Sequence, residues 1–188
     1  MQTKKSIWDN KKLVETLEKG GVVVMPTDTI YGIAGKAQDL ITVEHIYALR
    51  KRSPNKPCII LIGDINELDK FSITLSEEQK NVIKNFSLPT SFILDCPLEE
   101  FAYLHRGTKT LAFRIPLNED LRKLLIQTGP LVAPSANPEG LSPAKSIIEA
   151  KKYFGDSVDL YIDGGNITNK ASKILKLNKD GTVIVIRE

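Results

Sequence analysis

Aromatic residues make up only 6% of the chain, cysteine and histidine occur twice each, and neither sign of charge dominates, with 26 Lys and Arg against 23 Asp and Glu in 188 residues. So few aromatics leave no evident stacking platform for single-stranded nucleic acid. The net charge of +3 is too small to identify a nucleic-acid binder by composition, so any electrostatic role must come from a local patch. His45 and His105 lie far apart, which argues against a metal cluster or a hydrolase triad; each reads as solvated or satisfied by a neighbour. Cys58 and Cys96 could in principle pair, but both sit in apolar stretches and read as reduced core residues. No apolar run approaches the roughly 20 residues of a membrane-spanning helix. The start, Met1 to Asp9, lacks a hydrophobic signal segment, so the expectation is a cytoplasmic protein without membrane contact.

What is present is a 41% hydrophobic chain long enough for one sizeable core, read as a single domain over residues 1–188. Asp9-Asn10 followed by Leu13, Val14 and Leu17, closed by Gly20-Gly21, reads as a capped helix leading into the buried strand Val22 to Met25. A second helix is expected over Thr42 to Arg52, ending before Ser53-Pro54, with a strand from Cys58 to Ile62. Ser76-Glu77-Glu78-Gln79 has capping-box form. Strands follow at Phe92 to Leu94 and Thr110 to Ile115, then a helix capped by Asn118 and ended by Gly129-Pro130, then apolar Leu131 to Ala133. A helix around Ser146 to Phe154 and strands near Leu160, Ser172 and Thr182 complete the reading. The pattern is α/β, with a twisted open mixed sheet.

Familiar phosphate loops are absent. Gly32 to Ala37 has the wrong glycine spacing, and Ala37 stands where a magnesium-binding hydroxyl would be needed. Three polar clusters remain. Pro26-Thr27-Asp28-Thr29-Ile30-Tyr31-Gly32 leaves a buried strand at its carboxyl end, where α/β sheets bind ligands; it could also be a turn capped by its own side chains. Arg50-Lys51-Arg52-Ser53-Pro54-Asn55-Lys56-Pro57 can grip phosphates or simply complement a helix dipole. Ala133-Pro134-Ser135-Ala136-Asn137-Pro138-Glu139-Gly140 is a rigid polar loop able to meet a phosphate or base, with or without a ligand. Arg114, a charge inside an apolar strand, must be paired with a ligand or within the protein.

In this order, nearly end to end, the clusters resemble the YrdC-like family of threonylcarbamoyl-AMP synthases. Pro26 to Gly32 is similar to its strand-end motif, Arg50-Lys51-Arg52 to its Lys-x-Arg motif and Ser135-Ala136-Asn137 to its Ser-x-Asn motif. Thr90 to Leu94, Leu111 to Pro116, Asp163-Gly164-Gly165, Ala171 to Ile174 and Val185 to Glu188 add weaker matches. The resemblance implies an α/β twist with an open, concave, basic face, and the length matches the short form of the family. The implied activity is that of a nucleotidyltransferase. It joins L-threonine, bicarbonate and ATP, with Mg2+, into threonylcarbamoyl-AMP and pyrophosphate, for threonylcarbamoyl-adenosine formation beside the tRNA anticodon. Implied partners are a downstream threonylcarbamoyl transferase complex and double-stranded RNA or tRNA.

By the same resemblance Arg50, Arg52 and Lys56 would hold the triphosphate and serve catalysis, and Thr110, Ser135, Asn137, Ser142 and Arg187 would contact ATP. Thr27, Arg114 and Ser172 would hold threonine, with no metal held by protein ligands. Asp28 is a geometric possibility for the amine proton, and residues near Thr168 to Lys173 form the candidate lid. Departures from the family pattern are Arg50 for the usual Lys, Ser53 for a frequent Pro, Lys173 and Lys176 in the late motif, and a looser Pro89-Thr90-Ser91 turn. Rival readings are an RNA-binding module without turnover, a relative of the hydrogenase-maturation carbamoyltransferases using carbamoyl phosphate, and a scaffold with a decayed site.

Overall fold

The computed structural model describes residues 6–188. Met1 to Lys5, part of the start read as lacking a signal segment, lie outside the described residues. No helix among the described residues is long and apolar enough to cross a membrane.

Asn10 opens α1 (Lys11–Glu18) by accepting from the Leu13 N–H, and Leu13 and Leu17 form its buried stripe. The chain then makes a hairpin, β1 (Val23–Pro26) and β2 (Tyr31–Lys36). The strand β2 is not legible in the sequence, because Gly32 and Gly35 break its apolar pattern. At Gly35 a β-carbon would stand 2.3 Å from Thr42 Cγ2, so the glycine lets α2 (Leu40–Arg50) lie against the strand. That helix runs about two residues earlier than Thr42 to Arg52. Asp39 caps its start, and Lys51, in the left-handed region at φ 48°, ends it.

The remaining elements follow in chain order. They are β3 (Ile59–Leu61), a 3-10 segment at Ile65–Phe71 that the sequence did not announce, and α3 (Glu77–Asn85) with the expected capping box. Next come β4 (Thr90–Asp95), the single turn α4 (Ala102–His105), β5 (Thr110–Arg114), α5 (Glu119–Thr128) and β6 (Leu131–Val132). The chain ends with α6 (Ile147–Phe154), β7 (Leu160–Tyr161), β8 (Lys173–Leu177) and β9 (Val183–Arg187).

The nine strands among the described residues join one mixed sheet in the order β7-β1-β2-β6-β3-β5-β4-β8-β9. Parallel pairs join β1 to β7, β3 to β5 and β4 to β8; the other pairs are antiparallel. One face is packed throughout, with Ile33, Ile60, Phe92, Phe113 and Leu175 buried against the remaining helices, among them Val43 and Ile46 of α2. The opposite face is covered over only half its width. There Leu13 and Leu17 of α1 and Leu121, Leu124 and Leu125 of α5 seal Val23, Met25, Ala34, Leu61 and Leu131. Beyond β3 the same face is open. Ala112, Ile93, Ile174 and Lys176 stay half-buried, and register puts them on the side of Ser91 and Arg114. Lys176 therefore adds its charge to this face, while Lys173 alternates to the other and lies 3.9 Å from the Glu188 carboxylate.

Cys58 and Cys96 are buried free thiols, as read. His45 is exposed, and His105, buried, accepts at Nδ1 from the Gly107 N–H at 3.1 Å.

Candidate active site

The cleft lies where the α1 and α5 layer stops. Its first wall is the β1–β2 turn. Thr27 closes this turn twice, donating from its N–H (3.0 Å) and its hydroxyl (2.7 Å) to the Ile30 carbonyl. That places Thr27, Asp28 and Thr29 against Arg114, the last residue of β5. The guanidinium donates from Nη1 to Thr29 Oγ1 (2.9 Å) and from Nη2 to Thr27 Oγ1 (3.4 Å), and Nη2 lies 3.3 Å from Asp28 Oδ1. Arg114 is thus paired within the protein, which answers the cost of its charge in an apolar strand, and its Nε remains buried without a partner. Burial, the largest influence, pulls its pKa down, and Asp28 opposes that pull. Asp28 Oδ2 also accepts from the Leu117 N–H at 3.1 Å, so this carboxylate holds Arg114 and the chain behind it.

The second wall is the loop after β6. It continues the sheet, with Ser135 bridged to Gly32 and the Ala136 N–H donating to the Tyr31 carbonyl at 2.9 Å. Gly32 eases this crossing, where a β-carbon would stand a tight 3.2 Å from Thr27 Cγ2 and 3.4 Å from the Pro134 carbonyl. The third wall is Ser172, whose hydroxyl lies 2.9 Å from that of Ser91 and whose carbonyl accepts from Arg187 Nε (3.2 Å) and Nη2 (2.7 Å). Thr27, Arg114, Pro134, Ser135, Ser172 and Arg187 together line a cleft of about 150 Å³.

The basic cluster adjoins this cleft and is differently organised from a pair of guanidiniums on one helix. Arg50 is buried in the last turn of α2 and donates to the Asn137 carbonyl (2.9 Å) and to Ser135 Oγ (3.2 Å), fixing the loop of the second wall. Burial first, then Arg52, lowers its pKa. Because Lys51 ends the helix, Arg52 lies off its axis and donates to the Lys56 and Pro57 carbonyls at 2.9 and 2.8 Å. Lys56 pairs with Glu139, whose carboxylate also accepts from the Ser53 N–H. Asn137 donates to the Pro138 and Leu141 carbonyls. Arg50 Nη1, Asn137 Oδ1, Asp28 Oδ1 and Arg114 Nε are buried polar atoms without hydrogen-bond partners around the cleft, a state proteins keep rare, and His105 Nε2 and Arg106 Nε and Nη2 share it away from the cleft.

Of the residues read from sequence, Thr27, Arg114, Ser135, Ser172 and Arg187 meet in the cleft. Arg50 and Asn137 join through direct bonds, and Arg52 and Lys56 form the neighbouring loop. Thr110 and Ser142 are not brought to the cleft wall. Thr110 Oγ1 donates to Thr108 Oγ1, and Ser142 is exposed, its carbonyl accepting from Tyr153 Oη. Thr29, Ser91 and Glu139 lie inside the polar clusters and weaker motifs of the sequence, which give them no individual role. Their role rests on contacts across the sheet or between loops that spacing does not show.

A larger, more apolar cavity of about 330 Å³ lies on the packed side of the sheet, lined by Leu68, Ile83, Phe92 and Phe113. The polar groups converge in the smaller cleft, so the chemistry belongs there. Among the described residues no group of three or more His, Cys, Asp or Glu converges as a metal cage.

A half-covered mixed sheet with cations and hydroxyls gathered at its strand ends, and the buried Arg114 Nε left without a partner there, defines an α/β protein built to hold an anion. Residues 15–188 match the Sua5, YciO and YrdC family model, described as telomere recombination, and the chain belongs to that family. It is 30% identical over 164 residues to the threonylcarbamoyl-AMP synthase of Hahella chejuensis, covering 85% of this chain and 88% of that protein. It is 31% identical over 192 residues to a putative threonylcarbamoyl-AMP synthase of Methanocaldococcus jannaschii, covering 96% and 87%. The fold superimposes on that of P. abyssi Sua5 complexed with L-threonine with a TM-score of 0.86 and 26% identity, over 98% of this chain and 55% of that one.

Proposed function

We propose that this chain is an L-threonylcarbamoyladenylate synthase, making threonylcarbamoyl-AMP and pyrophosphate from L-threonine, bicarbonate and ATP. The observation that carries the reading is the Thr27, Asp28, Thr29 and Arg114 assembly facing Ser172 across the cleft, beside a basic loop tied to Ser135 and Asn137.

In this reading the guanidinium of Arg114 takes the threonine carboxylate, with Thr27 and Ser172 at its sides. Arg114 comes to this task already oriented by Asp28 and Thr29, so little ordering is needed on binding. The amine and bicarbonate condense to a carbamate with loss of water. A carbamate oxygen then attacks the α-phosphorus while the bond to the β,γ-pyrophosphate breaks. Negative charge builds on phosphate oxygens, and Arg50, Arg52 and Lys56 meet it while Ser135, Asn137 and Arg187 hold the nucleotide. Positioning and charge carry the catalysis, and no protein nucleophile is required. The lid read near Thr168 to Lys173 loses its end, since Ser172 is buried in the cleft wall and Lys173 opens β8; in this proposal the lid is the exposed stretch 163–171, which has no regular structure and is tied at its base by Tyr31 Oη to Gly164 and Gly165. Delivery of the product to a transferase complex acting on tRNA in the cytoplasm completes the proposal.

The test is pyrophosphate release from ATP by the purified protein with magnesium and bicarbonate. Threonine should support release, whereas serine, no amino acid or carbamoyl phosphate should not, and Arg52→Ala should abolish it. Release driven by carbamoyl phosphate would move the chain to the carbamoyltransferase reading. Salt-sensitive RNA binding without turnover would move it to a binding module.

A further inference from the structure

We propose that Glu139 is a built-in competitor of the ATP triphosphate, a carboxylate that occupies the donors of the basic loop until nucleotide phosphate displaces it. This deepens the synthase reading and rests on it.

The loop after β6 reaches back over the basic loop through this one acid. The Glu139 N–H donates to the Arg50 carbonyl at 2.7 Å, which fixes its backbone at the end of α2. Its carboxylate then takes the Ser53 N–H with one oxygen and the Lys56 ammonium with the other. A backbone N–H and a lysine ammonium converging on two oxygens of one anion are the donors a phosphate group would use. Arg50 and Arg52 are meanwhile turned onto carbonyls and a hydroxyl of the protein. All three cations assigned to the triphosphate therefore have partners within the protein, Arg50 with its Nη1 still unpaired, but only Lys56 faces a full negative charge.

The pair is built to be exchanged. The Lys56 side chain is 62% exposed and that of Glu139 28%, so the bond between them is weakened by solvent and open to a stronger anion. Lys56 first, and the Ser53 N–H next, hold the Glu139 carboxyl below the usual carboxylate range, so the competitor is fully charged at neutral pH. A triphosphate carries more charge than one carboxylate and can offer oxygens to Ser53, Lys56 and Arg52 together. A monoanion offers no such advantage. The exchange thus sets a threshold that ATP and pyrophosphate pass and weaker anions do not.

The experiment is calorimetric titration of ATP, and separately of pyrophosphate, into the wild-type chain, Glu139→Gln, Lys56→Met and the double variant. Glutamine keeps an oxygen for the Ser53 N–H and removes only the charge. Glu139→Gln is expected to tighten ATP and pyrophosphate about three- to tenfold, and to make both bind less steeply with salt than a simple added cation would. In the Lys56→Met background the same substitution should change affinity less than twofold, because the competition runs through Lys56. Unchanged or weaker ATP binding in Glu139→Gln would show that the residue only staples the loop and would overturn the proposal. Equal tightening with and without Lys56 would overturn it too, by reducing the effect to general repulsion. A wild-type chain that binds no ATP would sink the synthase reading and this inference together, whereas wild-type binding without tightening sinks this inference alone.

Discussion

Arg114 and Asp28 are each about 5% exposed in their side chains, so neither charge is solvated and each depends on the other. Removing one leaves a buried, uncompensated charge, which typically costs about 3–5 kcal/mol. Asp28→Asn should therefore lower the urea-unfolding free energy by roughly 3 kcal/mol and also raise the threonine dissociation constant, since Arg114 loses its anchor. A stability loss with threonine affinity unchanged would separate this pair from the site. Cys58 carries a second residue-scale prediction. Burial, the largest influence, pushes its thiol pKa up. An acid with a raised folded-state pKa contributes stability below its unfolded value and loses it as pH rises through the folded one. Unfolding free energy should then fall as pH climbs above about 8.5, less so in Cys58→Ala, and native Cys58 should resist Ellman's reagent.

At the scale of elements, glycine at position 35 decides how close α2 can come to β2, and α2 delivers Arg50 to the loop after β6. Gly35→Ala should push the helix outward, cost about 1–3 kcal/mol and weaken ATP binding, as measured by thermal unfolding and titration. The capping box of α3 is a separate test. Ser76 accepts from the Gln79 N–H and donates to the Lys179 carbonyl, tying the helix to the β8–β9 hairpin. Ser76→Ala should cost about 0.5–2 kcal/mol without changing turnover. These elements also show what sequence can carry. Asn10, Ser76 and Asn118 announce their helices because a cap is a local bond between near neighbours. The strand β2 was hidden because its glycines answer to α2 and to Pro134, partners distant in sequence. In the same way the order of three polar clusters pointed to the site. That Arg50 clamps Asn137, and that Glu139 clasps Lys56, follows only once the loops after α2 and β6 lie side by side.

On the scale of the whole molecule, the cleft exists because α1 and α5 cover only half of one sheet face. The strands carrying Arg114 and Ser91 lie inside the sheet, while β9, exposed at every residue, is its edge. Hydrogen exchange should therefore be slowest in β5 and β4 and fast in β9 and in 163–171, and threonine with ATP should slow 163–171 if it closes as a lid. Val183, Ile184, Val185 and Ile186 leave that edge apolar, a feature that makes solubility sensitive to loss of the β8–β9 pairing. The decisive measurement is incorporation of carbon-labelled bicarbonate into nucleotide product during incubation with threonine and ATP, followed by mass spectrometry. The account predicts one labelled carbon in a product with the mass of threonylcarbamoyl-AMP, formed only when threonine is present. ATP consumed with no labelled adenylate, or no ATP consumed at all, would contradict it.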